Sequence, residues 1–203
     1  GLPGRTVKMA HDERLTPAMR QWRQVKDEHP DKIVLFRMGD FYEMFWEDAV
    51  EASALLEIAL TTRDKNKADP MPMCGIPYHA LDLYLGRLIR AGRKAVLCDQ
   101  MESPAVAKGL IRREVTRVVT PGTVLEEGVI AAEEPVLLAA WNPGPTAVGI
   151  VWADLSCGDL AVWISGSAEA EERLRALAPA EVLFPEGTEP PEGAYAPSPL
   201  PAK

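Results

Sequence analysis

An aromatic ring and a carboxylate stand two positions apart at Phe41 and Glu43, inside the segment Gly-Asp-Phe-Tyr-Glu at residues 39–43. In an extended segment, residues i and i+2 point to the same side, so these side chains would meet one target together. An apolar ring can wedge into a base step and kink a duplex, and a carboxyl group can hydrogen-bond the edge of a base. A mismatched or unpaired base costs least to unstack. The pair therefore indicates a site that reads DNA by its deformability.

Each of these residues also has a structural interpretation. An aromatic residue beside a Gly-Asp turn commonly packs into a core, and a glutamate on a strand is commonly solvated. Near phosphates, the ionised form of Glu43 is disfavoured. Glu43 would accept from a base N–H when ionised or donate to a base nitrogen when protonated, and it would weaken binding where neither partner is offered. As a DNA contact, Glu43 would therefore be selective.

Basic side chains near the motif are candidates for phosphate contacts, although each alone is more commonly a surface charge. They are Arg37, Arg63, Lys65, Lys67, Lys108, Arg112 and Arg113. Charge also divides the chain. Residues 1–120 hold 19 Lys and Arg against 17 Asp and Glu, whereas residues 121–203 hold 3 against 13. These net charges of +2 and −10 predict two modules with different partners, the second of them repelled by phosphate.

The three cysteines, Cys74, Cys98 and Cys157, lack the spacing of metal ligands. We expect free thiols in a reducing compartment rather than disulfides or a zinc site. No apolar run approaches the roughly 18 residues of a membrane span, and the first residues lack the apolar core of a signal peptide. We therefore expect a soluble, cytoplasmic protein with no membrane partner.

The first half of the chain predicts an α/β unit with a mixed sheet flanked by helices. Residues 1–13 carry no periodicity and are expected to be disordered. The predicted elements are a helix at 17–28, a strand at 32–38, an extended piece at 41–45, a helix at 47–60, a polar loop at 61–69, an ordered loop or edge strand at 70–79, a helix at 81–91, and strands at 94–100 and 112–120. On this arrangement Phe41 lies at an exposed edge.

The second half predicts a smaller α/β unit. Three strands at 136–141, 146–155 and 159–164 precede a helix at 168–178 and a strand at 182–184. This order is typical of the first half of a ribonuclease H-like domain. Beyond residue 185 the density of Pro, Gly and Glu predicts a linker or frayed tail. The predicted units are therefore residues 14–120, a linker at 121–134, and a partial second domain at 135–203.

An enzymatic alternative comes from the acids of the second half. Asp154 falls where a ribonuclease H-like nuclease would place its first metal-binding carboxylate, and Asp159 and Glu181 are further candidates. Their spacing forms no evident acidic constellation. A partner-docking surface is the better interpretation of an acidic module.

Three motifs, in order, carry a resemblance to a known family. They are Gly-Asp-Phe-Tyr-Glu at 39–43, Pro-Met-Cys-Gly-Ile-Pro-Tyr-His-Ala at 72–80 and Val-Thr-Pro-Gly-Thr at 119–123. Together, over about residues 14–125, they resemble the mismatch-recognition domain of the bacterial DNA mismatch repair family MutS. The remainder is similar to the start of the connector domain in that family. The resemblance implies an N-terminal fragment of a longer protein.

The resemblance assigns roles to particular residues. It implies that Phe41 stacks on a mispaired base from the minor groove, that Glu43 hydrogen-bonds this base, and that Tyr42 packs inward. The second motif lies near DNA in the family. It therefore makes weaker contact candidates of Met71, Pro72, Met73 and His79.

The resemblance also implies cofactors and partners for the whole protein. The family uses ATP and Mg, but this sequence has no phosphate-binding loop of the form G-x-x-x-x-G-K-[ST]. We therefore expect no cofactor and no enzymatic activity from these residues. The implied partners are double-stranded DNA with mismatches or small loops, a second MutS subunit, and MutL through the connector, in the nucleoid-associated cytoplasm. The alternative is a protein-interaction module that does not bind DNA.

Overall fold

The computed structural model describes residues 15–63, 70–102, 109–124 and 136–201, which form four helices and two mixed β-sheets. The helices are α1 Pro17–Glu28, α2 Trp46–Leu56, α3 Leu81–Arg90 and α4 Ser167–Leu177. The strands are β1 Ile33–Met38, β2 Phe41–Phe45, β3 Thr61–Arg63, β4 Met71–Pro77, β5 Ala95–Gln100, β6 Arg113–Val119, β7 Leu137–Pro143, β8 Val148–Asp154, β9 Asp159–Ser165, β10 Glu181–Pro185 and β11 Ala196–Leu200. The predicted α/β class is confirmed.

The first sheet has six strands in the order β3-β4-β2-β1-β5-β6, with β1 and β5 parallel and the other neighbours antiparallel. Helices α2 and α3 cover one face, where Leu35 and Leu88 belong to one apolar core. Helix α1 covers the other, where Trp22 packs with Phe36 and Phe45. Residues of β1 alternate between the two cores, which explains why its apolar run is continuous.

The second sheet has the order β11-β10-β7-β8-β9. Strands β7, β8 and β9 form an antiparallel meander, and β10 and β11 extend the sheet in parallel. Helix α4 packs on one face, where Ile150 and Leu174 share a core with the half-buried Trp152 and Trp163. The predicted succession of three strands, a helix and a strand is confirmed.

Several sequence-based expectations about elements are wrong. Residues 61–63 form strand β3, where the sequence predicted a polar loop. Helix α2 ends at Leu56 rather than residue 60, because Glu57 adopts the left-handed conformation at φ 56° and terminates it. Strand β4 is not an edge strand, because β3 and β2 pair with its two sides. Strand β2 also lies inside the sheet. Phe41 is nevertheless 47% exposed because it is the first residue of β2, at the end of the sheet.

The segment beyond residue 185 is not a frayed tail over its described length. Residues 196–200 form β11, which pairs in parallel with β10 from Ala196 opposite Glu181 to Leu200 opposite Pro185. Ala196 and Ser198 are buried. The local composition is poor in strand formers, but backbone pairing and burial outweigh that weak propensity.

The cysteines are free, as expected. Cys74 and Cys98 are buried, and burial is the main cause that raises the pKa of each thiol to about 12. Both are therefore protonated at neutral pH and behave as small apolar groups. Among the helices of the described residues, none combines the length and the apolar character needed to cross a membrane.

Candidate nucleic-acid interface

Phe41 and Glu43 lie on one face of strand β2, as their spacing predicts. Phe41 pairs with Met38 of β1 and with Pro77 of β4. Glu43 pairs with Phe36 and with Gly75. This is the face that α1 covers further along the sheet. The pair occupies the end of the face where the sheet meets solvent.

Glu43 is a partly buried carboxylate with an unused acceptor. Its side chain is 19% exposed, and Arg63 Nη1 lies 3.5 Å from its Oε2 atom. Within the described residues, that oxygen is buried and has no hydrogen-bond partner. Burial raises the pKa of Glu43 above its ordinary 4.5, and the positive charges of Arg63 and Arg113 oppose this rise. The site therefore holds a carboxyl group that is easier to protonate than a solvated one and whose Oε2 atom accepts no hydrogen bond within the described residues.

The ring of Phe41 leans across the strand toward Gly75. A Cβ built on Gly75 would lie 3.8 Å from Phe41 Cδ1 and 3.6 Å from Glu43 Cγ. The bare backbone of Gly75 thus lies beside both side chains. Ring and carboxylate are near enough to contact the same nucleotide.

Tyr42 packs inward between them, as the resemblance implies. It is 5% exposed and belongs to the core under α2 and α3. Its hydroxyl donates to Asp99 on β5, which also accepts from Thr116 on β6. Burial and this carboxylate raise the pKa of Tyr42 to about 12. Because side chains alternate along a strand, the burial of Tyr42 on one face means that Phe41 and Glu43 point to the other face.

Arg37 lies on the opposite face from Phe41. It pairs with Tyr42 across the strands, and its guanidinium lies 4.0 Å from the ring centroid of Tyr78. Its Nε donates to the carbonyl of Gly39. Arg37 therefore stacks on Tyr78 at the end of the sheet and does not lie beside Phe41 and Glu43.

The remaining predicted contacts are dispersed. Met71 and Met73 share the face of Glu43 but are half-buried against the Trp22 core. Pro72, between them, belongs to the other face by alternation. His79 is exposed in the 3₁₀ turn Tyr78–Ala80 that follows β4. Lys65, Lys67 and Lys108 lie outside the described residues.

The sequence did not predict the roles that three residues take at this site. Gly75 faces Glu43, and its position within Met-Cys-Gly-Ile-Pro was the available signal. Tyr78 is 46% exposed and stacks with Arg37. Arg113, considered a phosphate contact, instead donates to the carbonyls of Arg37 and Ile111. No local spacing signals that structural role.

Two acids of the second half accept hydrogen bonds from neighbouring residues. Asp154 accepts from the backbone and the hydroxyl of Ser156, which hold the pKa of its carboxyl below the ordinary value. Glu181 accepts from Gly122 N and Ser198 Oγ. Among the described residues, no group of three His, Cys, Asp or Glu side chains is arranged to hold a metal ion.

The sequence of this chain is similar to those of known proteins. A family model described as MutS domain I matches residues 16–128. The chain is 47% identical over 182 residues to the DNA mismatch repair protein MutS of Syntrophobacter fumaroxidans, covering 88% of this chain and 20% of that protein. It is 48% identical over 174 residues to the protein of the same name from Myxococcus xanthus, covering 85% and 19%. The chain thus spans about a fifth of the length of these relatives.

The family match contains the whole of the candidate site. Phe41, Glu43, Arg63 and Gly75 all fall inside residues 16–128, and that range is more than half of the 203 residues. The chain therefore belongs to the MutS family.

Proposed function

We propose that this chain recognises mismatched or unpaired nucleotides in double-stranded DNA, with Phe41 as the stacking wedge and Glu43 as the hydrogen-bonding group. One observation carries the proposal. A half-exposed ring lies beside a buried carboxylate oxygen that accepts no hydrogen bond from the described residues, on one face at the end of a sheet. A base that leaves its stack offers a π-face to the ring and a polar edge to the carboxyl group. The relatives are named DNA mismatch repair protein, and this supports the proposal.

We assign the other candidates by the face on which they lie. Arg63 is the best placed phosphate contact, because it shares the face of Glu43 and its side chain is 32% exposed. Met71 and Met73 would act by shaping the floor of the site, since both are half-buried. Arg37 and His79 would contact DNA only beyond the end of the sheet, and Pro72 would contact it only from the other face. Lys108 stays a prediction from the sequence.

The different net charges of the two halves suggest different functions for them. We propose a DNA-reading domain at 14–120, a linker at 121–134 and a protein-contacting domain at 135–203, whose net charge of −10 over residues 121–203 repels phosphates. Strand β9 exposes Leu160, Val162 and Ile164, an apolar row that favours contact with protein. A second MutS subunit and MutL are the partners that the family suggests, and ATP and Mg would belong to other parts of a longer protein.

The test is the substitution Phe41→Ala. Losing one base–aromatic contact should cost about 1–3 kcal/mol of binding to mismatched DNA and leave binding to paired DNA nearly unchanged. Fluorescence anisotropy at low salt would compare a paired duplex with duplexes that carry a G·T mismatch or an unpaired T. Low salt is needed because phosphate contacts weaken steeply as salt rises.

The matched control is Leu83→Ala, which removes a side chain 53% exposed on α3. It should keep the preference of the unchanged chain. If Phe41→Ala also keeps that preference, Phe41 is not the wedge. If the unchanged chain shows no preference, the chain acts as a protein-interaction module instead.

A further inference from the structure

Gly75 occupies an unusual place for a glycine, in the interior of strand β4. Its neighbours Cys74 and Ile76 pair with Met44 and Tyr42, and the register runs without a shift from Met73 to Pro77. Glycine weakens a strand because it has no side chain to pack and loses more conformational freedom on folding. A glycine here therefore needs a reason.

The usual structural reasons are missing at Gly75. The pairing contains no bulge, and Gly75 is not among the glycines with positive φ. A Cβ would meet Tyr42 O at 3.4 Å, Glu43 Cγ at 3.6 Å and Phe41 Cδ1 at 3.8 Å, all ordinary van der Waals distances. The fold thus has room for alanine at this position. The remaining common reason for a strand glycine is the close approach of a ligand.

The missing side chain leaves a notch between the site's two reading groups. The floor of the notch is the backbone of Gly75, and its walls are the Phe41 ring and the Glu43 stem. Gly75 is only partly buried, so the notch opens to solvent. A methyl group there would touch both walls at once and fill the space between them.

We propose that Gly75 is a specificity-determining residue, whose bare backbone admits the edge of the unstacked base between the Phe41 ring and the Glu43 carboxyl group. This inference rests on the proposed function and adds a requirement to it. The ring supplies stacking for any base that leaves the helix. The notch decides how deeply the base enters, and so whether its edge reaches the Oε2 atom of Glu43, which accepts no hydrogen bond within the described residues.

The experiment compares Gly75→Ala with the unchanged chain by fluorescence anisotropy at low salt. The duplexes are fully paired, with an unpaired T, and with an abasic nucleotide in place of that T. We expect Gly75→Ala to weaken binding of the unpaired T about tenfold, the order of one lost base contact. Binding of the abasic and paired duplexes should not change, since neither places a base edge in the notch.

The matched control is Gly149→Ala in strand β8. Gly149 is also a strand glycine without positive φ, and a Cβ there would lie 3.9 Å from Asn142 O. This variant should bind all three duplexes as the unchanged chain does. Thermal unfolding of both variants monitors the fold.

The outcomes separate this inference from the proposed function. If the unchanged chain prefers the unpaired T and Gly75→Ala keeps that preference, the notch is unnecessary and only this inference fails. An equal loss on the abasic duplex would overturn it too, because the effect would not involve the base. The affinities of the unchanged chain for the three duplexes also test the notch, without any variant. Equal affinity for unpaired T and abasic DNA contradicts both the notch and the stacking role of Phe41, because an abasic nucleotide offers no base, and equal affinity for all three duplexes also contradicts recognition of unpaired nucleotides.

Discussion

Glu43 combines two properties at the scale of the single residue, a raised pKa and an Oε2 atom that accepts no hydrogen bond within the described residues. A carboxylate that approaches phosphates repels them unless a base edge compensates. We expect Glu43→Gln to strengthen binding to fully paired DNA at neutral pH by about 1 kcal/mol, the Coulomb energy of one charge pair at close range in water. Discrimination would fall accordingly.

The pH dependence of this effect has a definite sign. Because burial raises the pKa of Glu43 above 4.5, the carboxyl group begins to take up its proton at a higher pH than a solvated glutamate. The unchanged chain should therefore approach the behaviour of Glu43→Gln as the pH falls. The measurement is the ratio of the two affinities for paired DNA across acidic and neutral pH. A ratio of one at neutral pH would show that the charge plays no part.

At the scale of the element, strand β2 is held in place by Tyr42. Tyr42→Phe keeps the buried ring but removes the donor to Asp99, leaving Thr116 as a partner of that carboxylate. A hydrogen bond to a charged group contributes about 1.5–3 kcal/mol, so we expect a loss of about 1–2 kcal/mol in the free energy of unfolding. Urea denaturation would measure it.

Measurements at high pH test whether the hydrogen bond to Asp99 causes this loss in the free energy of unfolding. The unfolded phenol ionises near pH 10.0, whereas the folded phenol keeps its proton up to about 12. The free energy of unfolding of the unchanged chain should therefore decline over this window, and the advantage over Tyr42→Phe should shrink. The control is Tyr78→Phe, at a site 46% exposed, which should change stability by less than about 0.5 kcal/mol. Equal stability of Tyr42→Phe and the unchanged chain would mean that the Asp99 contact contributes nothing.

At the scale of the whole molecule, the two sheets meet through the turn that follows β6. Gly122 N donates to the buried carboxylate of Glu181 at 3.0 Å. A Cβ on Gly122 would lie 2.8 Å from Glu181 Cβ and 2.8 Å from Leu138 Cδ1, closer than real atoms pack. Lys94 Nζ adds a bond of 2.6 Å to the carbonyl of Pro197 on β11. These contacts hold the first sheet against the second.

Gly122→Ala tests this junction. Overpacking in a buried contact costs about 1–3 kcal/mol, and we expect that loss in the free energy of unfolding, measured by urea denaturation with tryptophan fluorescence. Gly149→Ala again serves as the control, because a Cβ there meets only Asn142 O at 3.9 Å. Unfolding of both variants at the same urea concentration would show that the junction is open in solution.

The local features of the site could be predicted from residue order. The two-residue spacing of Phe41 and Glu43 was enough to place them on one face, because side chains alternate along any strand. Apolar periodicity likewise predicted the helices and most strands, and the three motifs pointed to the MutS family. The ends of the elements were less predictable. Helix α2 ends at Glu57, which is left-handed, and a glutamate does not signal such an end in the sequence.

The order of residues did not predict which distant segments pair. Gly75 faces Glu43, Arg63 lies 3.5 Å from the carboxylate, and Arg37 lies on the opposite face only because of how the strands align. The strand at 196–200 exists because β10 offers it a parallel partner. Strand register depends on which faces are buried across the whole sheet, and a shift of one residue would reverse every side chain. Local spacing therefore predicts which groups point together, and long-range packing decides what they meet.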